Sequence, residues 1–153
     1  MSSDAQPILE LDSFLPYRLS VLSNTVSDAI ALLYSERFHL TIPEWRVMAV
    51  LGRYPGLSAA EVAERTAMDK VAVSRAVARL VKADRLHRRT SAADRRRSEL
   101  SLSTAGQAVY RRVVPMAQQF ERELLAALTR GERQNLELLL KKLEQRAGDL
   151  RSY

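Results

Sequence analysis

Two adjoining stretches decide the fold of this chain: DKVAVSRAVARLVK at residues 69–82 and LHRRTSAADRRRSELSLS at residues 86–103. In the first, Val73, Val77 and Leu80 recur at helical spacing and fall within an arc of about 60°, so they define a buried helix face. In the second, the closing S-E-L-S-L segment alternates leucine with polar residues, which is the period of a half-buried strand. Together they predict a helix followed by a two-stranded hairpin.

The positive charge of the chain is concentrated in the same region. Between Lys70 and Arg97 there are ten Lys or Arg residues against two Asp, a local net charge of +8. The net charge of the whole chain is +6, so the remainder carries −2. A near-neutral body with one basic segment is the electrostatic pattern of a protein that binds a polyanion. The alternative is a solvated arginine-rich face.

The composition excludes several classes of protein. The chain has 153 residues, of which 46% are apolar and 27% charged, as in an ordinary globular protein. It has no cysteine, which excludes disulfides and thiolate chemistry, and His39 and His87 leave little material for a metal centre. No apolar run approaches the roughly 20 residues of a membrane span. Residues 1–12 are acidic and polar, unlike a secretion signal, so we expect a cytoplasmic protein without cofactor or metal.

Four capping boxes of the form S/T-x-x-E/Q mark helix starts. They are Thr41 with Glu44, Ser58 with Glu61, Thr104 with Gln107, and Thr129 with Glu132. With the apolar periodicity they predict helices over residues 13–38, 42–53, 59–65, 70–83, 105–128 and 130–147, and strands over 86–91 and 98–102. Pro115 predicts a kink or irregular turn in the fifth helix. The predicted fold class is mainly α with a small β-hairpin.

The third and fourth predicted helices have the length of a helix-turn-helix, with Thr66–Met68 as the turn and Asp69 as the N-cap of the second helix. That helix carries small and basic side chains opposite its buried face, as a helix in a DNA major groove requires. The candidate DNA-binding residues on it are Lys70, Val71, Ser74, Arg75 and Arg79. Arg75 can pair with guanine and Val71 can meet a thymine methyl group, although Val71 is equally explained as a stray apolar surface residue.

The tip of the hairpin is predicted to be Ala92–Glu99, eight residues that are too many for a tight turn. It carries Asp94 followed by Arg95, Arg96 and Arg97, which repel one another and are expected to protrude into a DNA minor groove. Asp94 either holds a neighbouring guanidinium in position or is an Asx-turn residue.

With these motifs the sequence resembles the MarR family of bacterial winged helix-turn-helix transcriptional regulators, over about residues 14–147. The resemblance rests on the wing signature D-x-R at residues 94–96 with L-S-L-S-T-A-G at 100–106, and on S-R-x-V-x-x-L at 74–80. The Leu-Thr-x-x-Glu opening of the last helix and the Trp45-containing second helix agree as well. The chain departs from the family at Ala83-Asp84, where many members have a glycine, and at Pro115.

The resemblance implies an obligate homodimer that binds a pseudo-palindromic DNA operator and represses transcription until a small molecule releases it. The two ends of the chain are rich in leucine, and a single small domain does not obviously cover them. We therefore expect residues 1–38 and 105–153 to form a helical dimerisation region and residues 39–104 to form the winged helix-turn-helix domain. The alternative is that the two ends pack on each other within one chain.

The segment FLPYRLS at residues 14–20 is similar to a branch of the family that responds to aromatic acids or their thioesters. It points to an aromatic carboxylic acid or its coenzyme A thioester as the effector. Arg18 can pair with a carboxylate, while Trp45 and Met48 either line an aromatic-sized slot or belong to the core. Arg18 is otherwise an ion-pair partner at an interface. The candidate effector-binding residues are Tyr17, Arg18, Ser23, Trp45, Arg46 and Met48.

Two other functions are weighed against this one. A non-specific nucleic-acid-binding or architectural protein would also be basic, but here the aromatic residues lie outside the basic segment and cannot form a base-stacking platform there. An enzyme would need a nucleophile with its base, or paired carboxylates in a pocket. The sequence contains no Gly-rich phosphate loop, so we expect no catalytic residues.

Overall fold

The computed structural model describes residues 6–152, which divide into two compact units, one ending at Val114 and the other beginning at Pro115. Residues 1–5 and residue 153, which belong to the acidic start and to the predicted dimerisation region, lie outside the described residues. A short 3-10 helix at Leu11–Ser13 comes first. It is followed by α1 (Leu15–Ala31), α2 (Ser35–Phe38), α3 (Ile42–Arg53), α4 (Ala59–Thr66), α5 (Lys70–Lys82), β1 (Leu86–Thr90), β2 (Ser98–Leu102), α6 (Thr104–Leu125) and α7 (Arg130–Leu150). The fold is mainly helical with one hairpin, as predicted.

The prediction of one helix over residues 13–38 is wrong, because the helix ends at Ala31 and restarts as α2. Between them the N–H of Leu33 and the N–H of Tyr34 donate to carbonyls three residues back, at 3.0 and 3.1 Å. The turn buries Tyr34, whose ring centroid lies 5.7 Å from that of Trp45. Burial of this aromatic ring outweighs the local helical preference of the segment.

The core of the first unit is formed by α3, α4, α5 and the hairpin. The capping box at Thr41 and Glu44 starts α3, with the N–H of Thr41 donating to the carboxylate at 2.7 Å. Burial of each large apolar side chain contributes about 1.5–3 kcal/mol. The fully buried members are Val47, Met48, Leu51, Val62, Val73, Val77, Leu80, Leu86 and Leu100.

The hairpin is a two-stranded antiparallel sheet in which Leu86 faces Leu102 and Thr90 faces Ser98. Leu57, in the segment between α3 and α4, forms an additional antiparallel bridge with Leu100. The base of the hairpin is therefore attached through its backbone to the segment that leads into α4.

The predicted capping box at Thr104 and Gln107 is wrong, because Thr104 is already the first residue of α6. The preceding residue, Ser103, performs the capping: its hydroxyl accepts the N–H of Gly106 at 3.0 Å. Gly106 is required here, since a side chain at this position would collide with the carbonyl of Arg85.

Residues 104–125 form one continuous helix, so the irregular turn predicted at Pro115 is absent. In the second unit, α7 begins at the predicted box, with the N–H of Thr129 donating to Glu132 at 2.8 Å. No helix within residues 6–152 is both long enough and apolar enough to cross a lipid bilayer.

Candidate nucleic-acid interface

The helix-turn-helix consists of α4, a short turn and α5. Ser58 and Glu61 form the capping box that starts α4, and the N–H of Ser58 donates to the Glu61 carboxylate at 2.7 Å. Ala67 turns the chain with a left-handed backbone, φ 52°, and the carboxylate of Asp69 then caps α5 by accepting the N–H of Ala72 at 2.9 Å. The predicted N-cap is confirmed, and the turn begins one residue later than the predicted Thr66–Met68, because Thr66 is still part of α4.

The two sides of α5 differ in the way the sequence predicts. Val73, Val77 and Leu80 are at most 1% exposed and Ala76 is also buried, so this side of the helix belongs to the core. All five candidate residues lie on the exposed remainder of the helix. They are Lys70, Val71, Ser74, Arg75 and Arg79.

A cleft of about 210 Å³ separates α5 from the start of α3. Arg75 and Arg79 line one side of it, and Thr41 and Pro43 line the other. The two guanidinium groups and the positive end of the α3 dipole bring positive charge to this cleft, and the carboxylate of Glu44 on the N–H of Thr41 partly offsets it. Sequence reasoning missed Thr41 and Pro43, although the capping box at Thr41 already marked the exposed start of a helix.

The wing loop, which we define as residues 91–97, is shorter than the predicted tip Ala92–Glu99, because Ser98 and Glu99 already belong to β2. The N–H of Ser91 donates to the carbonyl of Arg97 at 2.8 Å and closes the loop. The carboxylate of Asp94 accepts the backbone N–H of Arg96 at 2.9 Å. Asp94 is therefore the Asx-turn residue, and the prediction that it holds a guanidinium is wrong.

The prediction that three arginines protrude from the loop holds for Arg95 and Arg96 and is wrong for Arg97. The guanidinium of Arg97 turns back onto α4 and forms an ion pair with Glu61 at 2.7 Å. Hydrogen bonds from Ser58, together with the nearby charge of Arg97, hold the pKa of Glu61 below its ordinary value of 4.5. Sequence alone gives no sign of this pair, because its members are 36 residues apart.

The candidate effector residues do not form one site in this structure. Tyr17 and Arg18 line an open cleft of about 430 Å³ on α1, together with Asp12, Val21, Leu22 and Thr25. Ser23 is exposed on the same helix. Of the six candidates, only Tyr17 and Arg18 are among the described residues that line this cleft.

The other three candidates lie on α3. Met48 is fully buried and Trp45 is nearly so, which confirms the alternative that they are core residues. The ring centroid of Trp45 lies 5.7 Å from that of Tyr34 and 6.1 Å from that of Tyr110. Arg46 donates to the hydroxyl of Ser27 on α1 at 2.9 Å.

Sequence reasoning missed the hydroxyl group of Tyr34, which is buried without a hydrogen-bond partner among the described residues. Burial raises the pKa of this hydroxyl, and the nearby charge of Arg46 acts in the opposite direction. No signal in the local sequence marks this tyrosine as buried.

Comparison with known proteins agrees with this geometry. Residues 39–97 match the model of the MarR family. An HTH-type transcriptional repressor of Mycobacterium tuberculosis is 29% identical over 131 residues, which cover 85% of this chain and 91% of the relative.

Solved structures show the same fold. The crystal structure of a MarR/EmrR family transcriptional regulator from Acinetobacter sp. ADP1 superposes with a TM-score of 0.85 at 26% identity, over 92% of this chain and 99% of the other. The PcaV transcriptional regulator of Streptomyces coelicolor, solved in complex with its natural ligand, superposes with a TM-score of 0.73 at 25% identity, over 93% and 99%. Residues 39–97 therefore match the MarR family, and over most of its length this chain resembles transcriptional regulators of that family in sequence and in fold.

Proposed function

We propose that the protein is a homodimeric repressor that binds a pseudo-palindromic DNA operator. The observation that carries the proposal is the exposed face of α5, where basic and small side chains lie opposite a buried apolar face. Because the proposed target is chromosomal DNA, we expect the protein in the cytoplasm.

In this proposal α5 enters the major groove. Arg75 pairs with the O6 and N7 atoms of a guanine, Ser74 and Lys70 contact bases or phosphates, and Arg79 contacts the backbone. Val71, which is 59% exposed, packs against a thymine methyl group. The absence of a bulky side chain at Ser74 allows the helix to approach the bases closely.

The wing reaches the adjacent minor groove through Arg95 and Arg96. Both side chains are exposed at the end of the hairpin, and a narrow minor groove attracts guanidinium groups. Asp94 supports them by fixing the backbone of the loop rather than by touching a guanidinium.

The dimer is formed by the two helical ends, residues 1–38 and 105–153, and the winged helix-turn-helix domain by residues 39–104. Apolar side chains are exposed along α1, as with Leu19 and Leu22, and along α7, as with Leu139 and Leu143. A monomer that leaves this much apolar surface on its helices in water is poorly stable, and burial against a second copy removes that cost.

The proposal is tested by selecting, from a pool of random DNA duplexes, the sequences that the purified protein binds most tightly. We expect an inverted repeat with half-site centres about one helical turn, roughly 34 Å, apart. A single half-site would contradict the dimer. Equal displacement of the bound duplex by random DNA would favour the alternative, a non-specific or architectural nucleic-acid-binding protein.

We further propose that a small aromatic carboxylic acid, or its coenzyme A thioester, releases the protein from DNA. The PcaV regulator is described with its natural ligand bound, which supports a ligand-dependent switch. Arg18 and Tyr17 line the α1 cleft, where the guanidinium can pair with a carboxylate and the ring can face an aromatic group. Arg46, Trp45 and Met48 would join the site only after a rearrangement that exposes α3, whereas Ser23 is already exposed on α1 beside the cleft residues Leu22 and Thr25.

A thermal-shift screen of aromatic acids and their thioesters tests the ligand. A compound that raises the Tm should release the protein from the operator selected above. Arg18→Ala should weaken the binding of that compound without changing the affinity for DNA. Failure of every compound would overturn the effector proposal and leave the DNA-binding proposal intact.

A further inference from the structure

The wing loop is attached to the helix-turn-helix through a single carboxylate oxygen. The Oε2 atom of Glu61 accepts the N–H of Ser58 and a guanidinium N–H of Arg97, each at 2.7 Å. The same guanidinium nitrogen donates to the carbonyl of Gly56 at 3.5 Å. One oxygen atom therefore caps α4 and also holds a residue of the wing loop.

The backbone of the wing is attached to the same segment. The N–H of Gly56 donates to the carbonyl of Leu100 at 2.8 Å, and the N–H of Leu100 donates to the carbonyl of Leu57 at 2.9 Å. Arg97 lies three residues before Leu100, at the loop end of β2. Its side chain extends this attachment from the base of the wing toward the loop.

Arg97 also fixes the backbone of the loop. Its carbonyl accepts the N–H of Ser91 at 2.8 Å, and its N–H donates to the carbonyl of Asp94 at 3.0 Å. The charge of Arg97 is compensated by Glu61, so it adds little to the repulsion between the two arginines before it. Arg95 and Arg96 are left exposed on a loop that is held at its end.

We propose that the ion pair of Glu61 and Arg97 is a strut that positions the wing loop for DNA, which makes Arg97 a positioning residue rather than a DNA contact. This inference rests on the proposed role of the wing in DNA binding. A loop that is ordered before binding does not lose that conformational entropy when DNA arrives, so the strut strengthens binding without touching the ligand.

Substitution Glu61→Gln separates the strut from simple electrostatics. Glutamine still completes the capping box of α4, but it no longer carries the charge that holds Arg97. Removing a negative charge should by itself tighten DNA binding. The strut predicts the opposite, a Kd about two- to fivefold higher per wing, as suits a partly exposed ion pair.

Glu64→Gln is the matched control, because it removes the same charge from an exposed side chain on the same helix. We expect it to leave the Kd unchanged or to lower it. If Glu61→Gln behaves like Glu64→Gln, the strut is overturned.

A double-mutant cycle with Arg97→Ala tests whether the two side chains act together. The strut predicts that Glu61→Gln adds no further loss of affinity once Arg97 is gone. If Arg97 instead contacts a phosphate, Arg97→Ala alone lowers the slope of log K against log salt by about one, and Glu61→Gln binds DNA at least as well as the wild type. That pattern would overturn the proposal.

Amide hydrogen exchange of the free protein tests the strut without DNA. In Glu61→Gln and in Arg97→Ala, the N–H groups of Ser91 and Arg97 should exchange faster, while α5 keeps its protection and the Tm stays close to wild type. Unchanged loop protection would overturn the strut, whatever the wing does on DNA. A second outcome would separate the strut from the role of the wing. If the loop amides exchange faster but Arg95→Ala and Arg96→Ala leave the DNA affinity unchanged, the positioning role is overturned. The failure then lies in the proposed function of the wing.

Discussion

The hydroxyl of Ser103 donates a 2.6 Å hydrogen bond to the carbonyl oxygen of Asp84. The same hydroxyl accepts the N–H of Gly106 at 3.0 Å, and the side chain is buried. Asp84 has a left-handed backbone, φ 55°, in the turn between α5 and β1. One buried hydroxyl therefore connects the turn that precedes the wing to the start of α6.

Ser103→Ala should lower the free energy of unfolding by about 1–3 kcal/mol, because it removes the cap of α6 and leaves the Asp84 carbonyl without its hydroxyl donor. Urea unfolding followed by circular dichroism measures the change. The control is Thr104→Ala, which removes an exposed hydroxyl one residue later and should cost less than about 0.5 kcal/mol. If Thr104→Ala lowers the free energy of unfolding more than Ser103→Ala does, Thr104 is the capping residue that the sequence predicts.

The ring of Tyr110 on α6 fills the space that a side chain at Gly52 on α3 would occupy. The ring also packs against Trp45, with the two ring centroids 6.1 Å apart. Gly52→Ala should therefore destabilise the protein by about 1–3 kcal/mol through overpacking. Gly131→Ala, in the first turn of α7 with no described atom within 4 Å of the added methyl group, should leave the protein equally stable or raise stability by up to about 1 kcal/mol. Equal losses in urea unfolding for the two variants would contradict this packing.

The stability contributed by Glu61 should depend on pH. Hydrogen bonds from Ser58, and then the charge of Arg97, hold the pKa of the folded-state carboxyl group below its ordinary value of 4.5, so the unfolded chain binds the proton more readily. The contribution is therefore present above that ordinary value and is lost as the pH falls through the lowered one. The difference in unfolding free energy between wild type and Glu61→Gln should be constant between about pH 6 and 8 and should shrink in more acidic buffer. A difference that does not change with pH would contradict the charged state of Glu61.

The elements with strong local signals were predictable from the sequence. The bounds of α3 agree with the prediction, because a capping box starts the helix and Tyr54-Pro55-Gly56 stops it. The N-cap Asp69 was predictable because aspartate is a favoured capping residue, while the turn before it begins one residue later than predicted. Asp84 has a left-handed backbone, which suits glycine and is tolerated by aspartate, so the absence of a glycine at Ala83-Asp84 is compatible with the turn.

The predictions that failed concern features that depend on contacts between residues distant in sequence. Nothing near Tyr34 breaks a helix, yet its packing on Trp45 ends α1 early. Two hydroxyl groups compete to cap α6, and the pattern cannot choose between Ser103 and Thr104. The side chain of Arg97 turns back because it pairs with Glu61, which is distant in sequence. Met48 is buried by side chains from several elements of the core. The local sequence therefore predicts neither the orientation of Arg97 nor the burial of Met48.

The effect of Arg75→Ala on sequence discrimination tests most directly the claim that α5 reads the bases of an operator. Fluorescence anisotropy at one salt concentration gives the Kd for the selected operator and for a scrambled duplex, with the exposed Arg111 of α6 changed to alanine as the control. The account predicts that Arg75→Ala weakens operator binding by about 5- to 150-fold per half-site, while scrambled DNA is bound nearly as before and Arg111→Ala has little effect on either. Unchanged operator affinity, or equal losses on both duplexes, would contradict it.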